Sequence, residues 1–414
     1  MSQQFRYPGV RPFSRSQANI FFGREKDKDE LIQMIDLDKI TVLYSKSGLG
    51  KSSLLNAAVA PAVEAAGQLR PFSFRFGAFY KGKEETPLDI VTNSLAQQTD
   101  NTPGFLDQIA TPETNPIWFY LKKLQLQGRQ KGGFLLIMDQ FEELFTYPPE
   151  LVRNFGRRLA AALYQDIPQS VLNNFEKKYK ENPQFLSDEE MNLLHQPFTL
   201  KILPAIRSDR LALLDELTPY LPKILGRLYR LDALSAEAAE DAILNPAYQK
   251  SEVFASPQFD YHDEALDYML HYLTKGHTEN IESFQLQILC QYIESELVVE
   301  KGLREIKKED IGDLDAIYRS YYERQINRLP DPSDIAGARK LIEEGLIEEK
   351  DQRRLSLHES QIEQFYGIKK ELLDQLVETR LLRPEPHYKG GYLYELSHAS
   401  IVSPILKAKK DPVE

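Results

Sequence analysis

The chain has 414 residues, of which 42% are hydrophobic and 27% charged, with a formal net charge of −11 at pH 7. This composition is typical of a soluble globular protein with two or three domains, and the acidic balance argues against a nonspecific nucleic-acid-binding protein. One cysteine, Cys290, excludes internal disulfides. Because the N-terminus lacks the apolar core of a signal peptide and no run of about 18 apolar residues predicts a membrane span, we expect a cytoplasmic protein.

The first regular element is a helix predicted over residues 25–35. Its apolar residues Leu31, Ile32 and Ile35 are spaced for one helical face behind a charged first turn. The turn F-F-G-R, residues 21–24, immediately precedes this helix. From its residues alone, such a turn is interpreted as a packing corner.

A glycine-rich loop between a predicted strand and a predicted helix is the most informative stretch. Residues 43–56 read L-Y-S-K-S-G-L-G-K-S-S-L-L-N, and apolar residues 40–44 predict a buried strand before the loop. This is the layout of a phosphate-binding loop, in which backbone N–H groups and a helix N-terminus bind a β-phosphate. Lys51 would reach the β- and γ-phosphate oxygens, and the Ser52 hydroxyl would ligate Mg²⁺. Ser45 stands where the usual pattern begins with glycine, a position that mainly needs a tight turn.

The second informative stretch, residues 133–146, reads G-F-L-L-I-M-D-Q-F-E-E-L-F-T. Its apolar run ending in Asp139 predicts a buried parallel strand whose carboxylate emerges at the carboxyl edge of the sheet, where α/β proteins bind ligands. Asp139 is then placed to hold the Mg²⁺ that Ser52 also contacts. Glu142 and Glu143 follow within one turn, and either can polarise an attacking water.

A further strand is predicted over residues 199–206. Pro204 is expected to mark its end, because a proline in a central strand removes a ladder hydrogen-bond donor. Arg207 follows at the same edge of the sheet, where it could sense a γ-phosphate. The alternative for this arginine is a surface salt bridge with Asp209 or Asp215.

The character of the sequence changes after Leu231. Ser235 caps a helix that is expected to stop near Asn245-Pro246, and more helices over 264–273, 284–297 and 311–329 predict a helical domain. From residue 332, three helices followed by a two-stranded wing across the turn P-E-P-H-Y-K-G-G predict a winged helix.

The predicted winged helix invites a DNA-binding hypothesis. Its candidate recognition helix, I-K-K-E-L-L-D-Q-L-V-E-T-R, balances basic against acidic residues, so phosphate attraction would be feeble. Interaction or regulation is therefore the favoured role for this domain. His398 follows the wing, and a lone histidine there is interpreted as a core residue.

Seven sequence blocks together carry a family resemblance. In chain order they are Y-P-G-V-R-P-F, F-F-G-R-E, S-G-L-G-K-S-S-L-L, L-L-I-M-D-Q-F-E-E-L-F, I-R-S-D, I-E-S-F-Q-L-Q-I-L-C and E-L-S-H. The chain resembles the bacterial STAND NTPases, in particular the novel STAND branch, which are relatives of NLR immune receptors. The resemblance implies an α/β P-loop NTPase domain with a parallel sheet of ASCE type, then an α-helical domain and a winged-helix domain. We place these domains at 1–232, 233–330 and 331–414.

The resemblance also implies a site for one nucleotide, ADP at rest and ATP when active, with Mg²⁺. The implied nucleotide-binding residues are Phe22, Gly23 and Arg24 at adenine and ribose, Gly48, Leu49, Gly50, Lys51, Ser52 and Ser53 at the phosphates, and His398 at the ADP β-phosphate. The predicted catalytic residues are Lys51, Asp139, Glu142, Glu143 and the γ-phosphate sensor Arg207, with Ser52 and Asp139 on the metal. For His398, the resemblance reverses the interpretation as a core residue.

The sequence departs from the family pattern at several positions. Gln140 stands where many such ATPases place the catalytic base, which leaves the base open between Glu142 and Glu143 and predicts slow hydrolysis. Ser283 replaces the expected adenine-contacting proline, and Ala399 follows the histidine where an acid is common.

The resulting expectation is a nucleotide-dependent switch that ADP holds closed and that ADP/ATP exchange activates toward self-oligomerisation, in signalling or anti-phage defence. Its trigger is unknown. The main alternative is an AAA+ type initiator or helicase loader that binds DNA through the winged helix. A P-loop kinase or housekeeping NTPase is a second alternative, disfavoured because it needs no winged helix.

Overall fold

A computed structural model describes residues 4–80, 82–100, 102–113, 115–128, 132–276, 278–387 and 391–410. The chain divides into two compact units. The first, termed the sheet unit, comprises residues 27–46 and 58–231, and the second, termed the helical unit, comprises residues 1–26, 47–57 and 232–414. The three predicted domain boundaries stay predictions.

The sheet unit is built on five parallel strands in the order β2-β3-β4-β1-β5. The strands are β1 (Val42–Ser45), β2 (Leu69–Arg75), β3 (Gly133–Asp139), β4 (Leu200–Arg207) and β5 (Leu228–Arg230). The predicted strand ending in Asp139 is confirmed, and its side chains are buried up to Met138. Such a continuous apolar strand is expected in a parallel sheet with helices on both faces.

Strand β4 lies in the middle of the sheet, between β3 and β1. The prediction that Pro204 ends this strand is wrong, because β4 continues to Arg207. Pairing with β3 extends to the register Met138↔Pro204, and pairing with β1 runs from Leu43↔Ala205 onward. On the β1 side, a bridge Ile40↔Ile202 precedes the register that begins at Leu43↔Ala205, so the missing N–H of the proline falls in the gap between them.

Nine α-helices are described in chain order before β4, and most of them belong to the sheet unit. They are α1 (Glu25–Leu37), α2 (Lys51–Ser53), α3 (Ala60–Ala66), α4 (Pro87–Ala96), α5 (Leu106–Ile109), α6 (Pro116–Leu126), α7 (Pro149–Tyr164), α8 (Gln169–Glu181) and α9 (Asp188–His195). A π-helical segment, Leu54–Val59, joins α2 to α3, and 3₁₀ segments follow β3 (Phe141–Thr146) and β4 (Ser208–Leu217). Trp118 on α6 is fully buried in the core of the sheet unit.

The helical unit contains the remaining helices. They are α10 (Ala236–Tyr248), α11 (Asp263–Leu273), α12 (Ser283–Tyr292), α13 (Lys308–Ile311), α14 (Leu314–Ile326), α15 (Pro332–Lys340), α16 (Glu359–Tyr366), α17 (Lys370–Glu378) and α18 (Val402–Lys410). Ser235 caps α10 as predicted, since its side chain accepts the N–H of Ala238. The predicted stop near Asn245-Pro246 is close to the observed end: α10 runs two residues further, to Tyr248, because a proline in the last turn removes only one helical hydrogen bond.

Short strands complete the helical unit. They are β6 (Asp260–Tyr261), β7 (Glu305–Ile306), β8 (Ile347–Glu348), β9 (Arg353–Arg354), β10 (Leu357–His358), β11 (Leu382–Pro386) and β12 (Tyr392–Leu396). The last three form an antiparallel sheet in the order β10-β12-β11. The hairpin β11–β12 follows helices α15 to α17, in the predicted order. Residues 388–390 of its predicted turn lie outside the described residues.

The N-terminal segment is anchored inside the helical unit by a buried polar network. Arg6 is only 1% exposed, and its guanidinium donates to Ser256 Oγ at 2.9 Å and to the carbonyls of Pro246 at 2.9 Å and Gln249 at 2.7 Å. Glu294, which is also buried, accepts the backbone N–H of Arg6. A buried charge is stable only when it is paired and fully hydrogen-bonded, so this network fixes the course of the N-terminal segment.

None of the helices in the described part of the chain combines the length and the apolar character that a membrane span needs.

Candidate nucleotide-binding site

The predicted phosphate-binding loop has the backbone that its glycines allow. Gly48 has φ +83° and Gly50 has φ +96°, in the left-handed region that only glycine adopts without strain. Gly50 occupies the N-cap position of α2, which begins at Lys51. The loop therefore turns sharply and presents the N-terminus of a helix, as a phosphate site requires.

The turn of residues 21–24, just before α1, contacts this loop. The Arg24 guanidinium is buried and donates from Nη2 to the carbonyl oxygen of Leu49 at 3.0 Å. Gly23, with φ +80°, lies against α10 so closely that a Cβ there would be 2.1 Å from the Ala238 carbonyl oxygen. The turn is thus the packing corner suggested by its residues, and it also positions the loop. Phe22 is half-buried, and its contact with adenine stays a prediction.

Two serines of the loop region have different surroundings. The Ser53 hydroxyl accepts the backbone N–H of Phe13 at 3.1 Å, so it holds the N-terminal segment against α2. Ser52 and Lys51 are half-buried at the start of the same helix. Their predicted contacts with Mg²⁺ and phosphate stay predictions.

His398 lies directly against the loop. The side chain is buried, and an ideal Cβ on Gly48 would be 2.4 Å from its Nε2. The ring stacks on Phe284 with centroids 4.7 Å apart and an interplanar angle of 7°. Thus the histidine that follows the predicted wing points one ring nitrogen at Gly48, the fourth residue of the loop pattern that begins at Ser45.

The other ring nitrogen of His398 has two neighbouring side chains. Nδ1 is 2.7 Å from Ser400 Oγ and 3.2 Å from Glu282 Oε2. Burial, followed by the nearby guanidinium groups of Arg354 and Arg383, lowers the pKa of the imidazole to about 4. The ring is therefore neutral at pH 7 and carries a single N–H.

The arrangement around His398 includes residues that sequence reasoning missed. Glu282 and Phe284 were not singled out, although both fall in the block I-E-S-F-Q-L-Q-I-L-C. Ser283, noted only as a departure from proline, places Oγ 3.5 Å from the Leu49 carbonyl oxygen. The block itself was the only available signal, because nothing in local periodicity indicates a contact with His398.

The loop residues in the helical unit suit the binding of a nucleoside diphosphate. The two left-handed glycines, the helix N-terminus after Gly50 and the cation of Lys51 are the groups that bind phosphate oxygens. The space beside Gly48, which a Cβ would need, holds the imidazole of His398. These features make the loop a candidate site for the predicted ADP or ATP.

The sheet unit brings the other predicted residues to one edge. Asp139 ends β3, and its Oδ1 accepts the N–H of Gln140 at 3.0 Å, where Gln140 has the unusual φ of +53°. Arg207 ends β4 at the level of Ser45 on β1. It donates twice to Asp209, from Nε at 3.0 Å and Nη2 at 2.9 Å. This is one of the two salt bridges considered from the sequence, and a γ-phosphate role for Arg207 stays a prediction.

The two candidate bases lie in the same 3₁₀ segment, Phe141–Thr146. Glu143 Oε2 accepts the backbone N–H of Gly77 at 2.8 Å, and its Oε1 is 3.4 Å from Arg75 Nη2. Burial raises the pKa of this carboxyl, against the opposing effects of Arg75 and the Gly77 N–H. Glu143 thus has a structural role at the end of β2, and the choice between Glu142 and Glu143 as the base stays a prediction. A magnesium ion needs only one or two protein oxygens besides phosphates and water, and Ser52 and Asp139 each carry an oxygen donor of this kind. Their joint binding of Mg²⁺ stays a prediction.

Comparison with known proteins identifies the family. A family model described as Novel STAND NTPase 1 matches residues 7–404. The chain belongs to the Novel STAND NTPase 1 family. The match confirms the resemblance carried by the seven sequence blocks and assigns this STAND NTPase to a family of NTP-hydrolysing proteins.

Solved structures with a similar course of the chain come from archaeal proteins. The Aeropyrum pernix ORC1 protein in complex with DNA has a TM-score of 0.47 and 14% identity, covering 96% of this chain and 97% of that chain. The Aeropyrum pernix ORC2 protein in its ADPNP-ADP complexes has a TM-score of 0.44 and 14% identity, covering 94% of each chain. Cdc6p from Pyrobaculum aerophilum has a TM-score of 0.43 and 12% identity, covering 93% and 94%. No curated protein matches the chain in sequence, and at these TM-scores the solved structures add nothing to the functional argument.

Proposed function

We propose that this STAND NTPase is a nucleotide-dependent molecular switch that ADP holds in a closed state and that exchange for ATP releases. The observation that carries the proposal is the position of His398, whose Nε2 faces Gly48 of the phosphate-binding loop. A histidine that follows β12 and also lies on the loop links the C-terminal part of the helical unit to the nucleotide. Loss of a phosphate contact there would release that part of the chain.

Each residue has a proposed role in binding and hydrolysis. The backbone of Gly48 to Ser53 and the Lys51 ammonium bind the phosphates, and residues 22–24 flank adenine and ribose. Ser52 and Asp139 would hold Mg²⁺, which supplies charge neutralisation to the phosphate oxygens when bound. Glu142 orients the attacking water, and Arg207 senses the γ-phosphate. The replacement of the usual base by Gln140 supports slow hydrolysis.

Two features of the fold support this assignment. The strand order, with β4 between β1 and Asp139-bearing β3, is the order of an ASCE-type P-loop domain. Helices α15, α16 and α17 followed by the hairpin β11–β12 support a winged-helix domain ending at His398. We propose that release of this domain exposes a surface for self-oligomerisation, in signalling or anti-phage defence.

The energetics require an additional trigger. ADP at 100 times its dissociation constant stabilises the closed form by about 2.7 kcal/mol. Changing a closed-to-open ratio from 99:1 to 1:99 needs about 5.5 kcal/mol of differential affinity. Nucleotide exchange therefore acts together with an event that itself favours the open form.

The first test is the identity of the nucleotide that co-purifies, determined by mass spectrometry after denaturation. We expect ADP at close to one equivalent for the wild type and a reduced amount for His398→Ala, which should also oligomerise more readily with ATP in mass photometry. His195→Ala, at an exposed histidine in the last turn of α9, is the matched control. Equal ADP retention in His398→Ala and the wild type would refute the switch.

DNA binding provides the discriminating test for the alternative. An initiator or loader would bind duplex DNA tightly, with affinity that falls steeply as salt rises. We expect no such slope, because on α17 Lys370 faces Asp374 at 3.3 Å and the rest of the helix surface carries both signs of charge. Tight binding with a steep salt dependence would favour the loader.

A further inference from the structure

Three consecutive residues at the start of α12 surround His398 and the loop. Glu282 Oε2 lies 3.2 Å from Nδ1 of the imidazole, and Phe284 stacks on its face. Between them, Ser283 directs its hydroxyl at the carbonyl oxygen of Leu49. A single short segment thus contacts both the histidine and the phosphate-binding loop.

The groups around Nδ1 require opposite protonation of that nitrogen. The Glu282 carboxylate can only accept, so it needs an Nδ1–H. The backbone N–H of Ser400, at 3.5 Å, can only donate, so it needs a lone pair on Nδ1. The Ser400 hydroxyl at 2.7 Å fits either state. Because a neutral imidazole has one N–H, the choice at Nδ1 also decides what Nε2 presents to Gly48.

Distance and charge both favour the Glu282 carboxylate over the Ser400 N–H as the partner of Nδ1. The Glu282 carboxylate makes an ion-pair contact with Nδ1 at 3.2 Å and is closer than the backbone N–H of Ser400, which donates to Nδ1 at 3.5 Å in a long hydrogen bond. A hydrogen bond to an ionised acceptor is also about twice as strong as one between neutral groups. The Ser400 hydroxyl can share the same Nδ1–H as a second acceptor.

We propose that Glu282 is the positioning residue for His398, whose Nδ1–H it accepts, so that the ring is fixed against Gly48 with Nε2 directed at the bound nucleotide. The consequence for nucleotide binding rests on the proposed function. A phosphate oxygen arriving at Nε2 is joined by one proton from the solvent, and the imidazolium then donates one hydrogen bond to Glu282 and one to the phosphate. The positive charges of Arg354 on β9 and Arg383 on β11 oppose protonation of the ring. The ring is therefore protonated only when two anions, the Glu282 carboxylate and the phosphate, lie on either side of it.

The protonation of the ring is measured directly by ¹⁵N NMR of histidine-labelled protein, with the His398 signals assigned by their loss in His398→Gln. Without nucleotide, we expect a protonated Nδ1 and an unprotonated Nε2 in the wild type, and the reverse in Glu282→Ala. With ADP, both nitrogens of the wild type should be protonated. An unprotonated Nδ1 in the nucleotide-free wild type, or the same pattern in both proteins, would overturn the proposal.

A double-mutant cycle on ADP release tests whether Glu282 acts through His398. We expect Glu282→Ala to accelerate release of a fluorescent ADP analogue about tenfold in the wild type, and by less than about twofold in the His398→Ala background. Glu279→Ala is the matched control, because Glu279 is an exposed glutamate three residues away that pairs with Lys275. Equal acceleration in both backgrounds would contradict a role through the histidine.

The two experiments separate this inference from the switch. If His398→Ala leaves ADP release unchanged while the NMR pattern is as expected, the switch fails and the positioning by Glu282 stands. If His398→Ala accelerates release while Glu282→Ala leaves both the NMR pattern and the release rate unaltered, the switch stands and the positioning role fails.

Discussion

Nε2 of His398 occupies the space that a side chain at Gly48 would need. A Cβ on Gly48 would be 2.4 Å from Nε2 and 2.5 Å from Cδ2 of the imidazole, well inside van der Waals contact. Residue 48 must therefore be glycine for two reasons, its φ of +83° and the proximity of this ring. The pairing connects the phosphate-binding loop to a residue near the C-terminus of the same compact unit.

Gly48→Ala should displace His398 and weaken ADP binding by roughly tenfold or more, because the methyl group and the imidazole cannot occupy the same space. Gly67→Ala is the control, since Gly67 has a φ of +69° but no atom within 4 Å of the added Cβ. That variant should lose only about 1 kcal/mol of unfolding free energy, which is the cost of placing an alanine in the left-handed backbone region. Isothermal titration with ADP and thermal unfolding distinguish the two effects. Identical ADP affinities in both variants would show that the imidazole does not restrict residue 48.

Arg24→Lys should reduce nucleotide affinity about tenfold although it keeps the charge. The planar guanidinium reaches the Leu49 carbonyl from a buried position, and an ammonium group presents different geometry there. Arg11→Lys, at an exposed arginine of the N-terminal segment, should bind as the wild type does. Titration of a fluorescent ADP analogue provides the measurement, and unchanged affinity for Arg24→Lys would mean that the loop holds its shape unaided.

Glu142 and Glu143 should respond differently to substitution. Glu142→Gln is expected to lower the rate of ATP hydrolysis at least about 100-fold with unchanged thermal stability, as removal of a general base does. Glu143→Ala is expected to lower the unfolding free energy by about 1–3 kcal/mol, because it leaves the N–H of Gly77 without its carboxylate acceptor. Steady-state hydrolysis and thermal unfolding of both variants check this. Loss of hydrolysis in a stable Glu143→Ala would reverse the assignment.

The buried network of Arg6 should contribute strongly to stability. Arg6→Ala removes a buried guanidinium that donates to Ser256 and to backbone carbonyls, and it removes a cation that opposes the rise in pKa that burial causes at Glu294, so we expect a loss of about 3–5 kcal/mol. Lys275→Ala, which breaks an exposed pair with Glu279, should change stability by less than about 0.5 kcal/mol. Chemical denaturation followed by circular dichroism measures both. A similar small loss in the two variants would show that the network is not important for folding.

The stability of the nucleotide-free protein should depend on pH through His398. Burial, with Arg354 and Arg383, lowers the pKa of this imidazole to about 4 in the folded protein, below about 6.5 for an unfolded histidine. The unfolded state therefore binds more protons between pH 4 and 6.5, so stability falls as the pH drops through this window, by up to about 3 kcal/mol.

His398→Gln should remove this contribution, because glutamine does not titrate. The difference in unfolding free energy between the wild type and His398→Gln, measured by denaturant titration from pH 7 to pH 4.5, isolates the histidine from all other titrating groups. Parallel pH curves for the two proteins would mean that the imidazole is not protected in the folded state.

The local elements of this protein were set by its sequence. The loop glycines, Lys51 and the apolar run before Asp139 occur in contiguous stretches, and a parallel strand or a left-handed turn needs only that local pattern. The capping of α10 by Ser235 was likewise readable from neighbouring residues. Pro204 was misjudged because the cost of a proline in a strand depends on which hydrogen bonds are made at that position, and only the pairing of β4 with its two neighbours reveals that.

The surroundings of His398 were decided only by the tertiary structure. By residue pattern this histidine was a core residue, and only family resemblance directed it to the nucleotide. Its contacts with Gly48, Glu282 and Phe284 join segments far apart in the chain, and helical or strand periodicity carries no information about such contacts. The sequence by itself thus determined which chemistry the loop performs, while the fold decided which distant side chains meet it.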